Sequence, residues 1–165
     1  MTRKRILHPQ LGALEWDYSD SVSLKLSGDF FGGTQSVEIP GKGRWIGNLE
    51  FRGSKPVRLT LDGYLDIEDL PSRQACQTCA RLAGLTVRLK KTAASALVKT
   101  ANSWKATQRE LSVAGVAEAL RFDSVFVEKS GHAIIYLKGE KLFPGHLCTV
   151  SLSPKGKIGT VDLVG

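Results

Sequence analysis

Alternation of apolar and polar residues with a period of two restricts this chain more than any other feature, because only extended strands put every second residue on one face. Val22, Leu24 and Leu26 alternate with Ser23 and Lys25. Trp45, Gly47, Leu49 and Phe51 alternate with Arg44, Ile46, Asn48, Glu50 and Arg52, and Val57, Leu59 and Leu61 with Arg58, Thr60 and Asp62. Leu85, Val87 and Leu89 alternate with Thr86, Arg88 and Lys90. Each pattern suits an antiparallel sheet with one dry and one wet face. Further strands are expected over 111–113, 124–128, 132–137, 147–152 and 158–164.

Glycine and proline punctuate these runs at Gly32-Gly33, Pro40-Gly41, Ser130-Gly131, Pro144-Gly145 and Pro154-Lys155-Gly156, as hairpins and loops require. One helix is expected over 71–83. Pro71 suits a first turn, Asp66, Glu68 and Asp69 suit the positive end of the helix dipole, and Gly84 is a stop. Its small-residue face would hold Ala75, Cys76, Cys79, Ala80 and Ala83. A weaker helix is expected over 114–120, and 91–108 reads as a long loop or extension. The expected fold is mainly β, an antiparallel β-sandwich or barrel with one helix around 71–83. It forms a single domain over 1–165, and any subdivision falls near 84–91.

Hydrophobic residues make up 42% and charged residues 24%, which excludes a disordered composition. No run approaches the roughly 20 apolar residues that span a bilayer, and Ile6-Leu7-His8-Pro9 stands where a secretory signal would need a long apolar stretch. No membrane partner is expected, and folding is expected in a cytoplasm. The net charge of +7 is uneven: residues 84–165 hold 12 Lys/Arg against 6 Asp/Glu, and residues 1–83 hold 11 against 10. The basic residues are dispersed, so solubility explains them without nucleic acid.

Three cysteines cannot all pair within one chain, and two form Cys76-Gln77-Thr78-Cys79. Completing a zinc set would take His146-Leu147-Cys148, a spacing that does not match the common structural sites. A redox role would want Cys76 at a helix N-terminus, but it lies more than a turn inside. Core packing is the expected role of the pair. His8, His132 and His146 form no metal-binding pair at helical spacing. The sequence lacks G-x-S-x-G, H-E-x-x-H and G-x-x-x-x-G-K-[ST], and Gly41-Lys42-Gly43 reads as a tight turn. Asp62, Asp66, Glu68 and Asp69 could hold a hard cation but are expected to stabilise the helix start. Trp16, Tyr18, Phe30, Phe31 and Trp45 could stack on single-stranded nucleic acid but are expected mostly in the core. No catalytic residue, metal ligand or cofactor is assigned, and the chain is not expected to be an enzyme.

The segment 27–51 contains Gly32-Gly33-Thr34-Gln35-Ser36-Val37-Glu38-Ile39-Pro40-Gly41, then Arg44-Trp45 and a strand ending Leu49-Glu50-Phe51. This resembles tail proteins of long-tailed bacteriophages, of the distal-tail or baseplate type, as does Arg81-Leu82-Ala83-Gly84 leading into 85–89. The likeness covers about half the chain. It implies a structural virion protein in a ring that joins the tail tube to the tip apparatus. Its partners would be copies of itself and other tail proteins (tube, hub or fibre). Its place would be the virion tail, with the host cytoplasm during assembly. Contacts are then expected near 32–41, Gly131 and Gly156, with Ile46 and Phe126 as interface anchors. The alternative is a nucleic-acid-binding β-barrel module, although no recognition helix with a basic face is visible and sequence-specific binding is not expected.

Overall fold

The computed structural model describes residues 4–19, 22–28, 33–39, 42–104 and 109–165. Ten strands and three helices follow in chain order: β1 (Arg5–His8), β2 (Gly12–Ser19), β3 (Val22–Gly28), β4 (Gly33–Ile39), β5 (Lys42–Leu49), β6 (Val57–Tyr64), α1 (Arg73–Gly84), α2 (Thr86–Ser103), α3 (Val113–Ala119), β7 (Arg121–Glu128), β8 (Ala133–Lys138), β9 (Leu147–Leu152) and β10 (Ile158–Val164). Eight strands form one sheet in the order β1-β2-β5-β6-β7-β8-β9-β10. Every neighbouring pair is antiparallel except β6 with β7, which run parallel. A parallel pair needs a long crossover, and the three helices supply it.

The fold is therefore mainly β, with the helix expected at 71–83 present as α1. The sheet does not close into a barrel, and the layer packed on it is helical. Trp45, Leu59, Leu61, Val125, Val127, Ile135 and Val150 project from one side of the sheet into the same core as Cys79 and Leu82 of α1 and Leu89, Ala93 and Leu97 of α2.

Two expectations fail in the helical region. The alternating run 85–89 is not a strand, and 91–103 is not a loop, because both belong to α2. Alternation over five residues also fits the start of a helical stripe, and here the stripe continues through Leu89, Ala93, Ala94, Leu97 and Ala101, all buried. Three alanines in it let the helix approach the sheet closely. Residues 111–113 form no strand; Val113 opens α3 instead.

The acids before α1 also act differently from expectation. None lies in its first turn, and the N-cap is Ser72, whose Oγ accepts from Ala75 N at 3.1 Å. Asp66 instead accepts from Glu68 N, Glu68 pairs with Lys4 at 2.7 Å, and Asp69 pairs with Lys129 at 3.3 Å. These contacts hold the 65–70 loop against the end of the sheet.

β3 and β4 pair only with each other. Their register continues that of β2 with β5: Ser19 lies opposite Lys42, Val22 opposite Ile39, and Gly28 opposite Gly33. They form a two-stranded sheet of their own. With seven residues in each strand, it is ~23 Å long.

Candidate surface for docking

Strand parity divides the sheet into two chemically different faces. Opposite the helices lie Glu15 and Asp17 of β2, Arg44, Ile46 and Asn48 of β5, Arg58 and Thr60 of β6, Phe126 of β7, and Ile134 and Tyr136 of β8. Register sets Ile46 beside Thr60, Thr60 beside Phe126, and Phe126 beside Ile134. This makes a row across four adjacent strands, and its three apolar members are half-buried and lie outside the core. No outer-face residue among those described belongs to the buried core.

Toward the β1 edge the outer face becomes polar and concave. A hollow of about 930 Å³ is lined by Arg5, Glu15, Asp17, Ile46, Asn48 and Arg58, among others. Its carboxylates are engaged: Arg5 lies 3.2 Å from Glu15, and Arg44 lies 2.6 Å from Asp17. Each carboxylate of this hollow is paired with an arginine, and Arg58 adds a further positive charge to its lining.

The inner face explains the tryptophans. Trp45 is 0% exposed, and its Nε1 donates to Asp69 O at 2.8 Å. Trp16 meets it edge-on at 5.0 Å between centroids. Gly43 makes this possible, because a Cβ there would sit 1.9 Å from the Trp16 ring. Both indoles are therefore core, which removes them from any base-stacking platform. Tyr18 is exposed, and Phe30 and Phe31 lie outside the described residues.

The cysteines are buried and unpaired. Burial pushes the Cys79 and Cys148 thiols up to about 12 and raises Cys76 as well. Among the described residues, no three His, Cys, Asp or Glu side chains converge as metal ligands, so the C-x-x-C and H-x-C pairs are not brought together.

One juxtaposition escaped the sequence: His8 Nε2 lies 3.7 Å from Cys76 Sγ, across 68 residues of chain. It resembles a nucleophile and base, but the ring is oriented against that chemistry. Gln10 N–H donates to His8 Nδ1 at 3.2 Å, so the neutral ring carries its proton on Nε2. Nε2 then donates toward sulfur and cannot accept the thiol proton.

The turn at Gly131 is occupied within the chain. Thr78 Oγ1 donates to Gly131 O at 2.8 Å, and an added Cβ would lie 3.1 Å from Gln74. Near Gly156, Arg81 donates to Pro154 O. Both expected contact turns thus face α1. Gln35 and Glu38 lie on β4 and Arg44-Trp45 on β5, whereas Gly32, Pro40 and Gly41 lie outside the described residues. The Arg81 to Gly84 step leads into helix α2, where the tail-protein resemblance implies a strand.

Fold and surface together define a mainly β protein with a helical layer on one face of its sheet and, among the described residues, no second layer on the other. The chain belongs to the DUF2262 family, described as an uncharacterized protein conserved in bacteria, which it matches over residues 43–163. No curated protein and no solved structure matches it. The family match runs from β5 to β10, so β1 to β4 fall outside it.

Proposed function

We propose that the chain is a structural protein that docks its uncovered sheet face on neighbouring proteins. Its setting is proposed to be the one that the 27–51 resemblance implies, a ring in the tail tip or baseplate of a long-tailed phage. The observation that carries the docking reading is the row of Ile46, Phe126 and Ile134 across the uncovered face. Apolar residues on an outer face rimmed by charge are how protein interfaces are built. Arg5, Arg44, Arg58, Glu15 and Asp17 form such a rim. The chemistry of the candidate catalytic groups also favours a structural role, since the thiols are held protonated and the acids of the hollow are ion-paired.

Mass spectrometry of purified virions should find the chain in multiple copies. Its presence in infected-cell extract and absence from particles would defeat the tail setting. Phe126→Lys should leave the fold intact and abolish the assembly contact. Nucleic-acid retardation should be weak at moderate salt, whereas a binding module would show affinity falling steeply as salt rises.

A further inference from the structure

The hollow on the outer face holds a cation without a counterion. Register sets Arg5 opposite Glu15 and Glu15 opposite Ile46, Leu7 opposite Ala13, and Asn48 opposite Arg58. Arg5, Ala13, Glu15, Ile46, Asn48 and Arg58 all line the hollow. Glu15 is paired with Arg5 and Asp17 with Arg44. On the other side of Arg58 stands Ser124, whose hydroxyl donates to Asp123, and Asp123 is in turn paired with Lys138 at 2.6 Å. Arg58 itself is exposed and makes no ion pair or hydrogen bond with any described residue.

These neighbours fit one kind of ligand. A guanidinium presents a planar fork of donors that matches a carboxylate. Asn48, directly across the strand pair from Arg58, adds an amide donor beside that fork. Ala13 and Ile46 supply apolar lining, and Leu7, next to Ala13, is 84% exposed. With the two ion pairs closed, a single positive charge is left, which suits a monoanion. A neutral ligand of the same shape would strip water from the guanidinium without returning a partner. The volume of about 930 Å³ lies within the roughly 300–1,000 Å³ of small-ligand pockets. A whole small molecule fills such a space, whereas one Asp or Glu side chain from a docked protein would leave most of it empty.

We propose that the hollow binds a small monocarboxylic acid with an apolar body. Arg58 and Asn48 hold its carboxylate, and its carbon chain covers Ala13 and Ile46. The site neighbours the docking row but does not rest on it, since Phe126 and Ile134 are not in its lining.

The test uses the isolated full-length chain and reads no assembly contact, so this proposal and the docking reading fail separately. Hexanoate is titrated while nuclear magnetic resonance follows the Asn48 side-chain amide and the Arg58 Nε–H. Both signals should shift and saturate in the millimolar range. Hexanol and hexylamine, with the same apolar body, should bind at least ~10-fold more weakly. Arg58→Gln should weaken hexanoate by ~10-fold or more, the loss of a charge-assisted pair. Its melting temperature should match the parent's, because Arg58 is exposed, and this separates a lost site from a lost fold. Lys157→Gln removes an exposed cation beside β10, at the opposite edge of the sheet, and should leave binding unchanged. Shifts that never saturate, equal binding of hexanol, or an Arg58→Gln variant that binds like the parent overturns the proposal. Tighter binding of the blocked peptide acetyl-Leu-Glu-Leu-amide than of hexanoate also overturns it, and would assign the hollow to a side chain of a docked protein.

Discussion

Trp45 shows how much of this protein is legible one residue at a time. Its alternation with Arg44 and Ile46 puts it inward with Leu49 and Phe51, and all three are buried. Trp45→Ala should cost about 3–5 kcal/mol in chemical denaturation, the range for deleting a large buried aromatic. Gly43→Ala should also destabilise, for a reason no periodicity contains: its methyl would occupy the volume of the Trp16 ring. Loss of the near-ultraviolet dichroism of the Trp16–Trp45 pair would report it. The thiols give a pH-dependent prediction. Cys79 and Cys148 ionise near 9 when unfolded and at about 12 when folded. A raised folded value means stability is fully present below pH 9 and is lost as pH climbs toward 12. The melting temperature should fall across that window, and the Cys79→Ala, Cys148→Ala double variant should flatten the fall. A thiol reagent at neutral pH should find no fast-reacting group in the native protein and three after denaturation.

Among the elements, α1 and α2 contrast in what announces them. α1 stops at Gly84, the local signal expected, whereas its start is set by the capping Ser72 rather than by Pro71 and the acids before it. Ser72 does more than cap, because its Oγ also donates to Lys129 O at 2.6 Å and its N–H donates to the Tyr64 hydroxyl. Ser72→Ala should therefore cost about 1–2 kcal/mol, the upper part of the capping range. Ser112→Ala, which removes only the cap of α3, should cost less. Equal costs measured by urea unfolding would show that the Lys129 link adds nothing. α2 announces itself poorly, since Leu85 caps it with no side-chain hydrogen bond and its first residues alternate like a strand. Its stripe becomes visible only when read as far as Ala101.

For the whole molecule, the family match beginning at Gly43 separates a common body from the strands that precede it. β2 is nonetheless part of the core, because Leu14 and Trp16 are buried with Trp45. Deleting residues 1–42 should strip that cover and make β5 an edge. The expected loss is at least ~3 kcal/mol, two large apolar side chains at ~1.5–3 kcal/mol each. Calorimetry of the truncated chain would measure it. An unchanged melting temperature would mean that the 43–163 body is self-sufficient.

The sequence by itself determined which residues share a face. Most strands, the inward set around Trp45 and the position of α1 follow from periods of two and 3.6 and from local stop signals. Only tertiary structure decided what those faces meet. The parallel β6–β7 pair, the helical layer in place of a second sheet, and His8 beside Cys76 all join residues far apart in the chain. So does the uncovered row of Ile46, Phe126 and Ile134. The physical reason is that periodicity is a property of the local backbone. Whether a face is covered depends on which distant segment gains most by burying itself there, and alternation over 85–89 served a helix once the sheet offered that helix a place to pack.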